Sequence, residues 1–283
     1  ILRRCFRRFG TGKKIMGKFE KALLASDLDG TLFNDKKEIS RENLEALRYF
    51  TDNGGVFIAA TGRARKALEA YAPQLPLNGH SSVLLNGALV YNFAQKNTVR
   101  QHTMPAVSAK MVRELFERYP NVALEVFAED TVYVCHPNAT TAYHFDTIRI
   151  PYTTAEPAYL PPPSDWFKVN VTGSVADLAE AKAYLKQYRE SLMMVSSIPI
   201  FYELTALAAN KGDAVRFVAE EYPERQIYAI GDNFNDVPML ETADVSFAPA
   251  NAEEKVKQVA DVLVSSNNEA SVRDVIFYIE QKI

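Results

Sequence analysis

Asp27-Leu28-Asp29-Gly30-Thr31 follows the apolar run Ala22-Leu23-Leu24-Ala25, and this junction decides the fold. An unbroken apolar run ahead of a glycine-containing turn reads as a parallel strand buried on both faces. Residues two apart in a strand share a face, so Asp27 and Asp29 point one way and Leu28 the other. Gly30 lets the backbone turn sharply or approach a ligand closely. Two acids are thereby set at the C-terminal edge of a sheet, where open α/β folds bind ligands. One carboxylate can attack an electrophile while the other moves protons. Two such charges about 4 Å apart repel by roughly 4 kcal/mol at an effective dielectric near 20. A hard divalent cation with oxygen ligands, Mg²⁺ being the expected one, would cancel that repulsion and polarise a phosphate. A purely structural acidic turn would look the same over five residues. A calcium loop of the EF-hand type fits poorly, because its glycine belongs at the sixth position and Gly30 is the fourth residue.

Three further stretches carry related chemistry. Ile227-Tyr228-Ala229-Ile230 leads into Gly231-Asp232-Asn233-Phe234-Asn235-Asp236, and a helical run through Val237, Met239 and Leu240 follows. Asp232 is then at a second strand end, with Asn235 and Asp236 in a first helical turn. An Asp there can complete an oxygen-rich metal site or cap the helix. Val56-Phe57-Ile58 precedes Ala59-Ala60-Thr61-Gly62-Arg63. Thr61 offers a hydroxyl and a backbone N–H to a phosphate oxygen, and a helix beyond it would aim more N–H groups at the same anion. Asn210-Lys211-Gly212-Asp213 sets Lys211 at a helix start. Its point charge suits a phosphate or a phosphorylated aspartate, although a solvated surface lysine is the commoner case.

Two Asp, a Thr, a Lys and a third Asp, in that order, resemble the four motifs of phosphatases in the haloacid dehalogenase-like superfamily. Thr61-Gly62-Arg63 and the run from Gly231 to Asp236 look like the forms of its Cof-like branch. The resemblance covers the chain from about Phe19 to the end. It implies an α/β fold, with a Rossmann-like doubly wound parallel-sheet core and an inserted α+β cap. It implies a Mg²⁺-dependent phosphatase that hydrolyses small phosphorylated metabolites, sugar phosphates or phosphorylated cofactors, through an aspartyl-phosphate. Asp27 would be the nucleophile. Asp29 would protonate the leaving alkoxide and then take a proton from the attacking water. Mg²⁺ would be held by Asp27, the Asp29 carbonyl and Asp232. Thr61, Gly62, Lys211 and Asn235 would bind the phosphoryl oxygens, with Asp236 supporting Lys211 or a metal-bound water. A sugar phosphomutase and a non-catalytic phosphometabolite sensor stay open as alternatives. A sensor would have little use for both Asp27 and Asp29.

Spacing sets the domain plan. Asp27 and Thr61 are 34 residues apart, room for one helix, roughly 40–52, and one strand. Thr61 and Lys211 are 150 residues apart, too far for a loop within one compact domain, so a second domain is inserted there. Its expected limits are 88–197, between core segments 16–87 and 198–283. Alternating patterns predict strands near 88–92, 98–103, 122–127, 131–135, 167–172 and 193–196, with helices over 107–119 and 175–188. The chain would return to the core through Pro199-Ile200-Phe201-Tyr202-Glu203-Leu204. Within the cap, Lys168 is the best single candidate for a substrate contact. The aromatic residues Tyr133, Tyr143, Phe145, Tyr152, Tyr159 and Trp166 read as packing by default. Cys135-His136 reads as structural, because strand alternation sends the two side chains to opposite faces.

The bulk composition fits this plan. A chain of 283 residues with 47% apolar content can fill two cores. Two cysteines argue against a disulfide scaffold and point to a reducing, cytoplasmic setting. No stretch approaches the ~20 apolar residues of a membrane helix. The first 16 residues carry six basic and no acidic side chains, leaving −9 on the remainder. A basic arm can bind nucleic acid or a membrane. The simpler expectation is that residues 1–15 are an upstream-translated or expression-derived leader, disordered, with Met16 the true start. The expected partner is therefore a small phosphorylated metabolite, with no nucleic acid and no membrane, bound by a monomer or homodimer.

Overall fold

A computed structural model describes residues 17–283 except Asn78, Asp130 and Ser197; the basic leader, residues 1–15, lies outside the described residues. Its centre is a five-stranded, all-parallel sheet ordered β14-β13-β12-β1-β2. These strands are β1 (Ala22–Ser26), β2 (Val56–Ala59), β12 (Gln226–Ile230), β13 (Val245–Pro249) and β14 (Val262–Val264). Every residue of β1 is buried, as its unbroken apolar run requires. Leu24 packs into a core with Phe50, Val272 and Ile276 from helices Arg41–Asp52 and Ser271–Lys282. Leu23 and Ala25 face the opposite core, with Val215 and Val218 of helix Lys211–Ala219 and Leu240 of helix Val237–Thr242. Helices thus cover both faces of the sheet, the doubly wound arrangement.

Register positions the site. Ser26 is level with Ile230 on one neighbour and with Ala59 on the other. The residues that follow these three strand ends must emerge together at one edge.

Strand pairing differs from the expected limits of the insertion in two places. β4 (Leu89–Asn92) and β5 (Asn97–Gln101) form an antiparallel meander with β3 (Ser81–Leu84), and β3 is bridged to the end of β2 through Ala60 and Val83. Asn86 and Gly87, at φ +57° and +93°, turn the chain straight back. A Cβ on Gly87 would lie 2.2 Å from the Asn210 carbonyl oxygen, so only glycine fits this close, left-handed turn. The second difference is β11 (Phe201–Ala206). It pairs between β9 (Trp166–Thr172) and β10 (Leu192–Val195) rather than with the core sheet.

The six-stranded cap sheet runs β10-β11-β9-β6-β7-β8, with β6 (Ala123–Ala128), β7 (Val132–Cys135) and β8 (Tyr152–Thr154). Helices Val107–Arg118 and Val175–Leu185 cover one face, packing Met111, Leu115 and Leu178 on Val126, Val169, Val171 and Leu204. A third cap helix, Ala139–Ile148, was not predicted from sequence; Asn138 caps it by accepting from the Thr140 and Thr141 N–H groups. Among the described residues, no helix is long and apolar enough to cross a membrane.

Candidate active site

The three strand ends bring Asp27, Asp232 and Thr61 to one edge, and the start of helix Lys211–Ala219 brings Lys211 beneath them. Lys211 is fully buried. Its Nζ donates to Asp27 Oδ1 at 2.5 Å and to Asp236 Oδ1 at 2.6 Å. The other Asp236 oxygen accepts the backbone N–H groups of Asp232 and Asn233, both at 3.0 Å. Thr31 Oγ1 donates to Asp232 Oδ1 at 3.0 Å. Oxygens of Asp27, Asp232 and Asp236 lie within 4.8 Å of one another. Gly30, at φ +82°, permits this crowding, since a Cβ there would stand 2.5 Å from Asp232 Oδ2.

Charge is unbalanced in this cluster. Three carboxylates face one ammonium; with all three ionised, two negative charges are uncompensated. Burial, together with the nearby Asp236 and Asp232, pushes the Asp27 carboxyl well above its usual range against the pull of Lys211. Burial and Asp236 push Asp232 up to about 7. Burial works against the Lys211 ammonium, but Asp236 and Asp27 more than offset it, so its pKa rises. These are the properties of a site that holds a cation: oxygen donors, close convergence and a charge deficit.

Asp29 is placed differently from its expected role. Its carboxylate accepts from Arg63 Nε at 2.6 Å and Nη2 at 2.8 Å, and Lys37 Nζ lies 2.9 Å away. Burial would raise its pKa, but Arg63 and Lys37 win and hold it at about 2. In this arrangement Asp29 is ionised and has no proton to give. Arg63 itself lies against the packed rings of Phe33 and Tyr71, 5.1 and 5.2 Å from their centres. The sequence reading did not assign Arg63 or Lys37 to the site.

Thr61 is buried at the edge, but its backbone N–H donates to the Val83 carbonyl at 2.8 Å and is not available to a phosphate. This corrects the expectation that both its donors serve the ligand; β3 takes one. The Thr61 hydroxyl accepts the Arg63 N–H at 3.1 Å, which leaves its own proton to give. Asn235 Nδ2 donates to Asn86 Oδ1 at 2.9 Å, and Asn86 Nδ2 donates to Glu203 Oε2 at 3.1 Å. Glu203 also accepts from Lys168 Nζ at 3.0 Å, and Lys168 reaches the Gly62 carbonyl at 3.1 Å. Lys168, singled out in the sequence, thus ties the cap to the loop after β2.

A cavity of about 300 Å³ lies between this edge and the second face of the cap sheet, on which helix Ala139–Ile148 packs. Asp27, Asp29, Thr61, Gly62, Asp232, Asn235 and Asp236 line it from below, and Phe127, His144, Lys168, Asn170, Phe201 and Glu203 from above. Of the cap aromatics, Tyr143 also lines it, while Tyr159 is exposed and Trp166 is buried with its indole N–H on the Pro161 carbonyl. Cys135 is buried, and His136 stacks on Phe116 at 3.9 Å.

The sequence profile of haloacid dehalogenase-like hydrolases matches residues 24–276. The chain belongs to this family. The hydrolase is 28% identical over 279 residues to the phosphatase YwpJ of Bacillus subtilis, covering 88% of this chain and 96% of that protein. It is 24% identical over 266 residues to the pyridoxal phosphate phosphatase YbhA of Escherichia coli, covering 90% and 97%. Among solved structures it is similar to a haloacid dehalogenase-like hydrolase from Bacteroides thetaiotaomicron, with a TM-score of 0.78 at 25% identity, covering 91% of this chain and 99% of that one. These relatives span the parallel sheet and the cap alike.

Proposed function

We propose that the hydrolase is a Mg²⁺-dependent phosphatase of small phosphorylated metabolites, acting through an aspartyl-phosphate on Asp27. One observation carries the reading. Three converging carboxylates, all ionised, with a single buried lysine leave two negative charges at the floor of a capped cavity, the deficit that one divalent cation cancels. Asp27, the Asp29 carbonyl and Asp232 would hold Mg²⁺. When bound it supplies charge neutralisation and polarises the phosphoryl oxygens. Asp236 remains with Lys211, because one of its oxygens accepts the ammonium and the other two backbone N–H groups.

An Asp27 oxygen attacks phosphorus as the bond to the leaving alkoxide breaks. Asp29 delivers a proton to that alkoxide. Water then attacks the phosphorus of the aspartyl-phosphate and gives a proton back to Asp29, as the bond to the Asp27 oxygen breaks and inorganic phosphate leaves. The Thr61 hydroxyl, Gly62, Lys211 and the Asn235 amide take the phosphoryl oxygens. The first step requires Asp29 to leave Arg63 and Lys37, because these two cations are what hold its pKa low. The Arg63–Asp29 pair is the arrangement without substrate, and it must open before Asp29 can carry a proton. The cap in this scheme is the unit built on the six-stranded sheet, about residues 104–206, in place of the 88–197 expected from spacing.

Both relatives are phosphatases, and one acts on pyridoxal phosphate, which supports a phosphorylated substrate of metabolite size. The test is phosphate release from a panel of phosphorylated metabolites, with Mg²⁺ and with chelator. Turnover by metal-free protein would sink the mechanism.

A further inference from the structure

A strained turn behind the cavity joins its core wall to its cap wall. Leu85, Asn86 and Gly87 are three successive left-handed residues, at φ +51°, +57° and +93°. The conformation is unfavourable for the two that carry a Cβ, and it persists only where the surroundings over-determine it. Here they do. The Leu85 N–H donates to the Arg63 carbonyl and the Asn86 N–H to the Thr61 carbonyl, both at 3.1 Å, so the turn is seated on the loop after β2. Asn86 is buried, and its side chain packs on the same loop: a Cβ on Gly62 would stand 2.9 Å from Asn86 Oδ1. Asn86 lines a smaller cavity of about 110 Å³, while Glu203 and Asn235 line both that cavity and the main one.

The Asn86 amide engages one partner from each domain. Its Nδ2 donates to Glu203 Oε2 of β11 at 3.1 Å, and its Oδ1 accepts from Asn235 Nδ2 of the core at 2.9 Å. The same Glu203 oxygen takes the Lys168 ammonium at 3.0 Å, so this ion-paired carboxylate accepts from Asn86 and sets which way the amide faces. Turned over, the amide would set oxygen against the Glu203 oxygen and nitrogen against the Asn235 nitrogen. Asn86 Oδ1 is thereby aimed at Asn235 and holds one of its two amide hydrogens. The Asn235 amide is planar, so fixing one hydrogen fixes the direction of the other, which is left for a ligand.

Resting on the phosphatase reading above, in which the Asn235 amide takes a phosphoryl oxygen, we infer that Asn86 is a positioning residue for phosphoryl transfer. It acts through Asn235, whose free amide hydrogen it aims at the transferring group. Its own orientation comes from Glu203 of the cap, so the aim of a core donor depends on a cap side chain. A turn that served the fold alone would need its backbone bonds to Thr61 and Arg63 and would be indifferent to the Asn86 amide.

The experiment is a double-mutant cycle on the full chain with Mg²⁺, reading the single-turnover phosphorylation rate with phenyl phosphate. Asn235→Ala removes the donor and should slow the reaction by about 10²-fold. Asn86→Gly removes the amide but suits a left-handed backbone. It misaims the donor without deleting it, and should cost about tenfold, in kcat more than in KM. In the double variant the two losses should not multiply: once Asn235 is alanine, adding Asn86→Gly should cost less than about threefold, because there is no amide left to aim. Multiplying losses, or an Asn86→Gly rate equal to wild type, would overturn the inference. Should Asn86→Gly not fold, Asn86→Asp tests the same bond, since it tolerates the left-handed backbone and keeps an acceptor for Asn235. Its rate should stand well above that of Asn235→Ala, and equal rates would overturn the inference. Wild-type protein that releases no phosphate from phenyl phosphate or from a hexose monophosphate would instead overturn the phosphatase reading on which this rests.

Discussion

Replacing Asp232 by Asn should stabilise the metal-free protein. Burial and Asp236 raise the Asp232 carboxyl from 3.8 to about 7, against the Thr31 hydrogen bond and the pull of Lys211. A carboxyl whose folded pKa exceeds its unfolded one binds more protons in the native state. Its contribution to stability therefore falls as pH rises from about 4 to about 7, and the whole penalty remains above that. The difference corresponds to ~4 kcal/mol of penalty at neutral pH. Asn keeps the shape and the acceptor for Thr31 but cannot ionise. In chelator at pH 7.5, the urea midpoint of Asp232→Asn should lie above that of the wild type. The gap should close as pH approaches 4. Mg²⁺ should narrow the gap, since a bound ligand at about 100 times its Kd adds about 2.7 kcal/mol to the protein that binds it and little to a variant that has lost a ligand. Comparing two proteins at each pH cancels His80, His102 and His136, whose lowered pKa values act in the opposite sense. A variant less stable than wild type in chelator, or stabilised equally by Mg²⁺, would refute the charge-deficit account.

Other substitutions separate the remaining roles. Asp27→Asn should abolish phosphoenzyme formation; a hydroxylamine-sensitive phosphoryl label persisting on that variant would move the nucleophile elsewhere. Asp29→Asn should slow phosphorylation by alkyl phosphates by roughly 10²–10⁴-fold and by aryl phosphates much less, because aryl leaving groups need less protonation. Equal losses in single turnover would deny Asp29 the acid role. Lys211→Met strands Asp27 and Asp236 in the interior without their cation and should cost about 3–5 kcal/mol in chelator, read from urea denaturation. An unchanged midpoint would show that the lysine does not balance them.

What was legible in the sequence was local. Asp27, Thr61, Lys211 and Asp232 each stand where an apolar run ends or a helix begins, and such junctions are marked by neighbours a few residues away. What was missed depends on pairing between distant segments. The bond from Thr61 N–H to Val83 needs β3 beside β2, and no pattern around Thr61 announces it. β11 alternates like any strand, and only its fit between β9 and β10 assigns it to the cap. The Arg63–Asp29 pair joins residues 34 apart. Helix Ala139–Ile148 is rich in Thr and aromatic residues, weak helix formers, and buries only Thr141 and Phe145. Its one readable signal is Asn138 three residues ahead of Thr141, a reciprocal cap. The polar residues of β9 had a signal too. Phe167-Lys168-Val169-Asn170-Val171 alternates polar and apolar, which in a strand buried on both faces means a polar face turned inward.

The core edge of the cavity has more carboxylates than its one lysine can balance. Burying them costs free energy, since unpaired charge loses its water. On the phosphatase reading proposed above, a phosphomonoester that arrives with a divalent cation relieves that cost. Between core and cap, Lys168 holds Gly62 and Glu203, and Asn86 holds Glu203 and Asn235. Whatever settles against Lys168 and Glu203 therefore bears on the loops that carry Gly62 and Asn235. Leaving-group recognition and phosphoryl positioning are joined by these few hydrogen bonds, so a poorly matched leaving group should lose kcat as well as binding.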